Sequence, residues 1–134
     1  MKAKTLKRVL CLLLAAVMLT SGIGVFADDI APCYTGTASI SSNLSISSAG
    51  KATCTGAIRL YASYTANMTI KLQRYTNGYW STVQSWSGDG VSTISKSYYV
   101  TSGYYYRVVT AASVYDSSGN YVEGPTMLST TKYY

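Results

Sequence analysis

From residue 34 onward, apolar and polar residues alternate along the chain, which is the period-two pattern of half-buried β-strands. The longest example runs from Tyr104 to Tyr115, where every second side chain falls on the same face. No stretch of this region has apolar residues at helical spacing over three turns. The pattern therefore predicts an all-β domain.

Turn-forming residues divide the region into eight strand-like runs. Asn77-Gly78 is the strongest divider, because a two-residue type I′ hairpin needs positive φ at both central positions. Pro125 lies in the last run and indicates an edge position or a bulge. The runs are 34–40, 43–47, 51–61, 66–75, 79–86, 91–100, 104–115 and 121–131. Seven or eight antiparallel strands with alternating faces predict two sheets packed over one core.

The same alternation assigns side chains to the core. In run 51–61 the inward face starts at Ala52 and includes Cys54, and in run 66–75 it is centred on Ile70. Trp80 and Trp86 are six residues apart, so strict alternation puts both on one face. One or both tryptophans are predicted to belong to the core.

The N-terminus has the layout of a secretory signal peptide. A positively charged start, ending at Arg8, precedes an apolar run from Val9 to Leu19, and Val25-Phe-Ala27 forms a cleavage site. The alternative is an uncleaved membrane anchor, since 9–27 is long enough to span a bilayer. A polar break at residues 20–22 favours cleavage. We therefore predict a signal peptide at 1–27, a single domain at 28–134 and a secreted, extracellular protein.

Export changes the meaning of the charge and of the cysteines. Four of the 11 basic residues but none of the five acids lie in residues 1–27, so the high pI is largely a property of the leader and does not indicate nucleic-acid binding. Cys33 and Cys54 remain after cleavage. An even number of cysteines in a small exported domain predicts a disulfide between them. Two buried free thiols are the alternative.

The composition offers little for catalysis. The chain has no histidine, which removes the usual Ser/His/Asp and Cys/His systems and the commonest metal ligand. Asp89 and Asp116 are placed in turns and Glu123 in a strand, so they do not form the facing pair that a glycosidase needs. We expect no enzymatic activity, no metal and no cofactor.

Tyrosine is the unusual component, with 14 tyrosines and two tryptophans against one phenylalanine. On the face opposite the predicted core, several strands combine tyrosine with basic side chains. If those strands are neighbours, they form a surface that can stack on sugar rings or hold an anionic wall polymer. The alternative is that such pairs only stabilise the sheet. The candidate residues are Arg59, Tyr61, Lys71, Tyr75, Tyr105 and Arg107.

The segment Val100-Thr-Ser-Gly-Tyr-Tyr-Tyr106-Arg-Val108 resembles the corner of fibronectin type III and immunoglobulin-like domains. In those domains a tyrosine opens the strand after a turn, and its hydroxyl bonds back to the backbone. The resemblance implies an antiparallel immunoglobulin-like β-sandwich of seven to eight strands. Tyr106 matches the structural tyrosine, with Tyr104 as the alternative.

The chain as a whole is similar to a family of short secreted β-sandwich proteins of Gram-positive bacteria, many of them Firmicutes. The similarity rests on Cys54-Thr-Gly56, the run 70–74, the two tryptophans of YWSTVQSW, and GYYYRVVT followed by DSSGN. It implies a compartment and a fold and does not imply a mechanism.

The leading expectation is a secreted, non-catalytic binding or interaction module. Its partner would be a cell-surface glycan, a wall polymer or a protein, with no nucleic acid and no stable membrane span. A bacteriocin-like or pore-forming antagonist is one alternative, which the small size and mild positive charge permit. A subunit that assembles through exposed edge strands is another.

Overall fold

A computed structural model of the chain describes residues 33–134, and Cys33–Tyr134 forms one compact unit. The predicted signal peptide, residues 1–27, lies outside the described residues, as do residues 28–32. Within residues 33–134 every regular element is a β-strand, which confirms the predicted all-β class. In that range no helix is long and apolar enough to cross a membrane.

The strands of the described region form two sheets, and every pairing is antiparallel. The smaller sheet has the order β1-β2-β5 and contains β1 (Thr37–Ile46), β2 (Lys51–Leu60) and β5 (Thr93–Tyr99). The larger sheet has the order β4-β3-β6-β7 and contains β3 (Thr65–Thr76), β4 (Tyr79–Asp89), β6 (Tyr105–Tyr115) and β7 (Tyr121–Glu123). Two short strands, β8 (Thr126–Leu128) and β9 (Lys132–Tyr133), also pair with β6.

The hydrophobic core lies between the two sheets, where β2 faces β3 and β6. Alternate side chains of these three strands are buried, as the sequence pattern predicts. Gly56 lets the sheets approach each other, because a Cβ at this position would lie 2.5 Å from Cγ2 of Ile70 and 2.6 Å from Oγ1 of Thr110. The buried set on the three strands includes Ala52, Cys54, Ile58, Met68, Ile70, Leu72, Tyr106, Val108 and Val114.

Strand boundaries differ from the prediction at both ends of the domain. The predicted runs 34–40 and 43–47 form the single strand β1, because the residues between them continue the pairing with β2. The predicted run 121–131 is divided into β7, β8 and β9. Pro125 lies between β7 and β8, where a residue without an N–H interrupts the ladder. The described region therefore has nine strands instead of seven or eight.

The hairpin between β3 and β4 forms at the predicted dipeptide. Asn77 has φ 53° and Gly78 has φ 90°, so both central residues have the positive φ of a type I′ turn. Thr76 pairs with Tyr79 directly across the turn. The local sequence is sufficient to specify this connection.

Further along the same hairpin, a β-bulge reverses the alternation in β4. The register shifts between Leu72 and Gln73, and Val83 is the extra residue opposite this step. Trp86 consequently packs against the core, whereas Trp80 lies on the outer face of the sheet. The prediction that both tryptophans share one face is therefore wrong, because strict alternation holds only in a strand without a bulge.

The predicted disulfide is also wrong, because Cys33 and Cys54 are both free. Cys54 is fully buried in the middle of β2, where its thiol faces the core. Cys33 is exposed and precedes a segment whose Thr35 N–H donates to Glu123 in the larger sheet. The chain before β1 is thus drawn towards β7, away from the middle of β2. Burial raises the pKa of the Cys54 thiol to about 11.

Candidate binding surface

Four of the six candidate surface residues share one face of the larger sheet. Lys71 and Tyr75 lie on β3, and Tyr105 and Arg107 lie on β6. The two strands are hydrogen-bonded neighbours, and Lys71 and Arg107 each lie between two buried residues, whereas Tyr75 lies between two half-buried ones. This face therefore unites the β3 and β6 candidates on the solvent side of the sheet.

Arg59 and Tyr61 do not belong to that surface. Arg59 lies near the end of β2 in the smaller sheet, and Tyr61 follows this strand. Since β2 pairs with β1 and β5, the core separates it from the outer face of β3 and β6. Arg59 instead lines a cleft of about 250 Å³ whose walls include the apolar side chains of Leu60 and Val91.

Arg107 is the centre of the polar contacts on the larger sheet. Its Nε donates to Oε1 of Gln73 at 2.9 Å, and Nε2 of Gln73 donates to the Thr82 hydroxyl at 3.5 Å. Its guanidinium carbon lies 4.3 Å from the centroid of the Trp80 ring, within cation–π range. These contacts hold the Arg107 side chain in place on the outer face of the larger sheet.

Aromatic rings extend from this centre across the sheet. Tyr75 and Trp80 lie 5.3 Å apart between ring centroids, and Tyr105 and Tyr133 lie 4.9 Å apart. Tyr75 is 42% exposed, Tyr105 51% and Tyr133 64%, so the rings are half in contact with the sheet and half with solvent. The aromatic–basic face consists of Lys71, Tyr75, Trp80, Tyr105, Arg107 and Tyr133.

Two members of the aromatic–basic face are absent from the sequence-based set. Trp80 reaches the face because of the bulge in β4, and Tyr133 reaches it because β9 pairs with the start of β6. Neither arrangement has a local sequence signal. The cross-strand pairing of β9 in particular depends on the tertiary path of the C-terminal segment.

Tyr104 and Tyr106, the two candidates for the structural tyrosine, have different environments. Tyr106 is 1% exposed, and its hydroxyl donates to the carbonyl oxygen of Thr101 at 2.6 Å. It thereby holds the loop between β5 and β6 against the core. Tyr104 is partly buried, and the guanidinium carbon of Arg74 lies 4.6 Å from its ring centroid. Neither ring belongs to the aromatic–basic face.

Two of the carboxylates in the described region have backbone partners. Oδ1 of Asp116 accepts the N–H groups of Ser118 and Asn120 at 2.9 Å, and these bonds, led by that from Asn120, lower its pKa. Desolvation by itself raises the pKa of Glu123. The hydrogen bonds that its carboxylate accepts from residues 35–37 lower the pKa by more, so the net shift is below the ordinary value. Among residues 33–134 no group of three or more acidic or cysteine side chains has the arrangement of a metal site.

The three carboxylate side chains of the described region lie at one end of the strands, where Arg59 is also found, and four of the other cations lie at the opposite end. Asp89, Asp116 and Glu123 all lie at the end where β3 begins, because Asn67 pairs with Asp89 and Thr65 pairs with Tyr115. We call this the acidic end. The opposite end, where β6 begins, is the basic end, and its cations are Lys51, Arg74, Arg107 and Lys132.

No protein-family model matches the chain, and no curated protein matches it either.

Proposed function

We propose that the domain is an immunoglobulin-like sandwich of the fibronectin type III kind. The strand order supports this, since β1-β2-β5 and β4-β3-β6-β7 correspond to the A-B-E and C′-C-F-G sheets of such domains. The Tyr106 hydroxyl bond to the backbone five residues upstream, at the start of the F-like strand, is the second support. A sandwich of this kind presents the outer face of one sheet as a broad surface.

We further propose that the protein is an exported, non-catalytic binding module for an anionic glycan, such as a negatively charged polymer of a cell wall. The observation that carries this proposal is Arg107, which is stacked on Trp80 and fixed by Gln73 in the middle of exposed aromatic rings. Exposed rings provide faces for the C–H groups of sugars, and a fixed cation provides a site for an acidic group. Lys71 adds a second cation to the same face.

Alanine substitution tests this proposal. Tyr75→Ala, Trp80→Ala and Arg107→Ala should each weaken binding to purified, negatively charged wall polymer by roughly tenfold, because each removes an anchor near the centre of the face. Binding should also weaken as salt is added, because the cations are exposed to solvent. Isothermal titration calorimetry at two ionic strengths measures both effects.

Arg59→Ala and Tyr61→Ala are the matched controls. They remove an exposed arginine near the end of β2 and an exposed tyrosine just after it, and they should leave the affinity unchanged. Thermal unfolding of every variant checks that the sheet is intact. Equal losses in the control and test variants, or binding of a neutral glycan with no salt dependence, would reject an anionic-glycan site on this face.

A further inference from the structure

The side chain of Arg74 has a different environment from that of Arg107, although the two residues are on neighbouring strands at the basic end. Arg74 lies on the core-facing side of β3, opposite Tyr106 of β6. One face of its guanidinium is covered by the ring of Tyr104. Its Nε is buried and, within residues 33–134, has no hydrogen-bond partner. Arg74 as a whole is half-buried, and a buried N–H without an acceptor is unfavourable, so an anion beside the guanidinium would stabilise it.

A cleft of about 90 Å³ opens beside this guanidinium, where the two sheets diverge at the basic end. One water molecule occupies about 30 Å³ in the liquid, so the cleft has room for roughly three waters or one small oxyanion group. Besides Arg74, its walls include Val83, Tyr98, Val100, Thr101 and Tyr106. The Tyr106–Thr101 hydrogen bond fixes one wall.

The charges around the cleft favour an anion from outside the domain. The three carboxylate side chains of the described region all lie at the acidic end, and two of them already accept backbone N–H groups. Lys51 and Lys132 add positive charge at the same end as Arg74. A guanidinium presents several N–H donors in one plane, which suits the paired oxygens of phosphate, sulfate or carboxylate.

We propose that the Arg74 cleft binds a small oxyanion group, with the guanidinium of Arg74 as the donor. The site is separate from the aromatic–basic face, because Arg74 points to the core side of β3 whereas Gln73 and Tyr75 point to the outer side. The two sites can therefore be removed independently. A free anion and a phosphate group on a larger molecule present the same chemistry to the guanidinium.

Thermal unfolding with and without anions tests the proposal. Inorganic phosphate, glycerol phosphate and acetate are each titrated against chloride at constant ionic strength. At least one should raise the melting temperature of the wild-type protein with a saturable dependence on concentration, because a ligand of the folded state stabilises it. A rise with glycerol phosphate shows that the cleft accepts an esterified phosphate, whereas a rise with acetate alone identifies a carboxylate site.

Arg74→Gln should abolish the saturable rise, and Arg74→Lys should reduce it, because lysine keeps the charge but loses the planar donors. Lys51→Gln is the charge-matched control, since it removes a cation from the same end but not from the walls of the cleft, and it should behave as wild type. An equal rise in wild type, Arg74→Gln and Lys51→Gln would overturn the proposal, as would the absence of a rise in wild type.

Nuclear magnetic resonance of the wild-type protein gives a reading that does not depend on the stability of a variant. The Nε–H signal of Arg74 should shift and exchange more slowly with water as the effective anion is added. The Nε–H signal of Arg59, which lies on the smaller sheet and lines the other cleft, is the internal reference and should shift less. Equal shifts of both signals would indicate general screening and would overturn a specific site.

Discussion

Thr110 shows how closely the core is packed around a polar atom. Its side chain is fully buried on β6, and its hydroxyl has no hydrogen-bond partner within the described region. Gly56 of the facing sheet leaves the space that the Thr110 side chain occupies. Thr37 provides a contrast, because its buried hydroxyl donates to Oε1 of Glu123 at 3.0 Å. Two buried threonines thus differ in whether their hydroxyl groups are satisfied.

Thr110→Val should raise the free energy of unfolding by about 1 kcal/mol, because it replaces an unpaired buried hydroxyl with a methyl group of similar size. Thr37→Val should lower it by about 1 kcal/mol, because it removes a donor from a carboxylate and leaves the burial similar. Urea denaturation of both variants measures the difference. A decrease for both would show that the Thr110 hydroxyl has a favourable partner.

At the scale of the element, Glu123 is the link between β7 and the beginning of β1. Its Oε1 accepts the N–H groups of Gly36 at 2.7 Å and Thr37 at 2.8 Å, and its Oε2 accepts that of Thr35 at 2.8 Å. One carboxylate therefore joins an edge strand of the smaller sheet to the larger sheet. The lowered pKa of Glu123 makes this link dependent on pH.

Glu123→Gln should lower the free energy of unfolding at neutral pH by about 2 kcal/mol, because it weakens several bonds to a charged acceptor. Since the pKa in the folded state is below its ordinary value of 4.5, the wild-type contribution is complete above that pH and is lost as pH falls through the folded-state pKa. Thermal unfolding should show that the melting temperature of the wild type falls more steeply between neutral and acid pH than that of Glu123→Gln.

Asp89→Asn is the control for the pH experiment, because it removes a carboxylate from the same end without a bond to β1. The melting temperature of Asp89→Asn should fall with decreasing pH as steeply as that of the wild type. If Glu123→Gln and wild type lose stability in parallel, the link between β7 and β1 does not depend on the charge of Glu123.

The elements that the sequence predicts well are those that depend on local physics. Alternation along β2, β3 and β6 follows from which side chains must leave water, and the Asn77-Gly78 turn follows from backbone sterics. The bulge in β4 is different, because the shift at Leu72 and Gln73 depends on how two strands pair. The alternation of polar and apolar residues therefore could not predict that Trp80 lies on the aromatic–basic face.

The candidate surface shows the same limit. Alternation correctly places Lys71, Tyr75, Tyr105 and Arg107 on the solvent side of their strands, but it contains no information on strand order. Arg59 has the same local pattern and lies on the other sheet, because long-range pairing joins β2 to β1 and β5. The anionic-glycan proposal thus depends on the observed topology as much as on residue type.

At the scale of the whole molecule, Cys33 and Cys54 are both free within the described region. Iodoacetamide at neutral pH should label Cys33 quickly and Cys54 only when the domain unfolds, since Cys54 is buried and its raised pKa keeps the thiol protonated. Peptide mapping of the labelled protein measures both rates.

Cys33→Ser and addition of dithiothreitol should each leave the melting temperature unchanged. Slow labelling of Cys33 that becomes fast after reduction would instead show that a disulfide forms in solution. Labelling before and after reduction distinguishes free thiols from a Cys33–Cys54 disulfide, because a disulfide would protect both cysteines equally.

Three carboxylates against Arg59 at one end, and four cations at the other, give the described region an electric dipole along its strands. Near a negatively charged surface, the field turns the basic end towards the surface before any specific contact forms. Residues 33–134 contain seven basic and three acidic side chains. They should therefore bind a cation exchanger more tightly than a variant that has the same number of charges distributed evenly over its surface. Adsorbed molecules would stand with their strands along the surface normal, so that the turn containing Asp116 faces the solution.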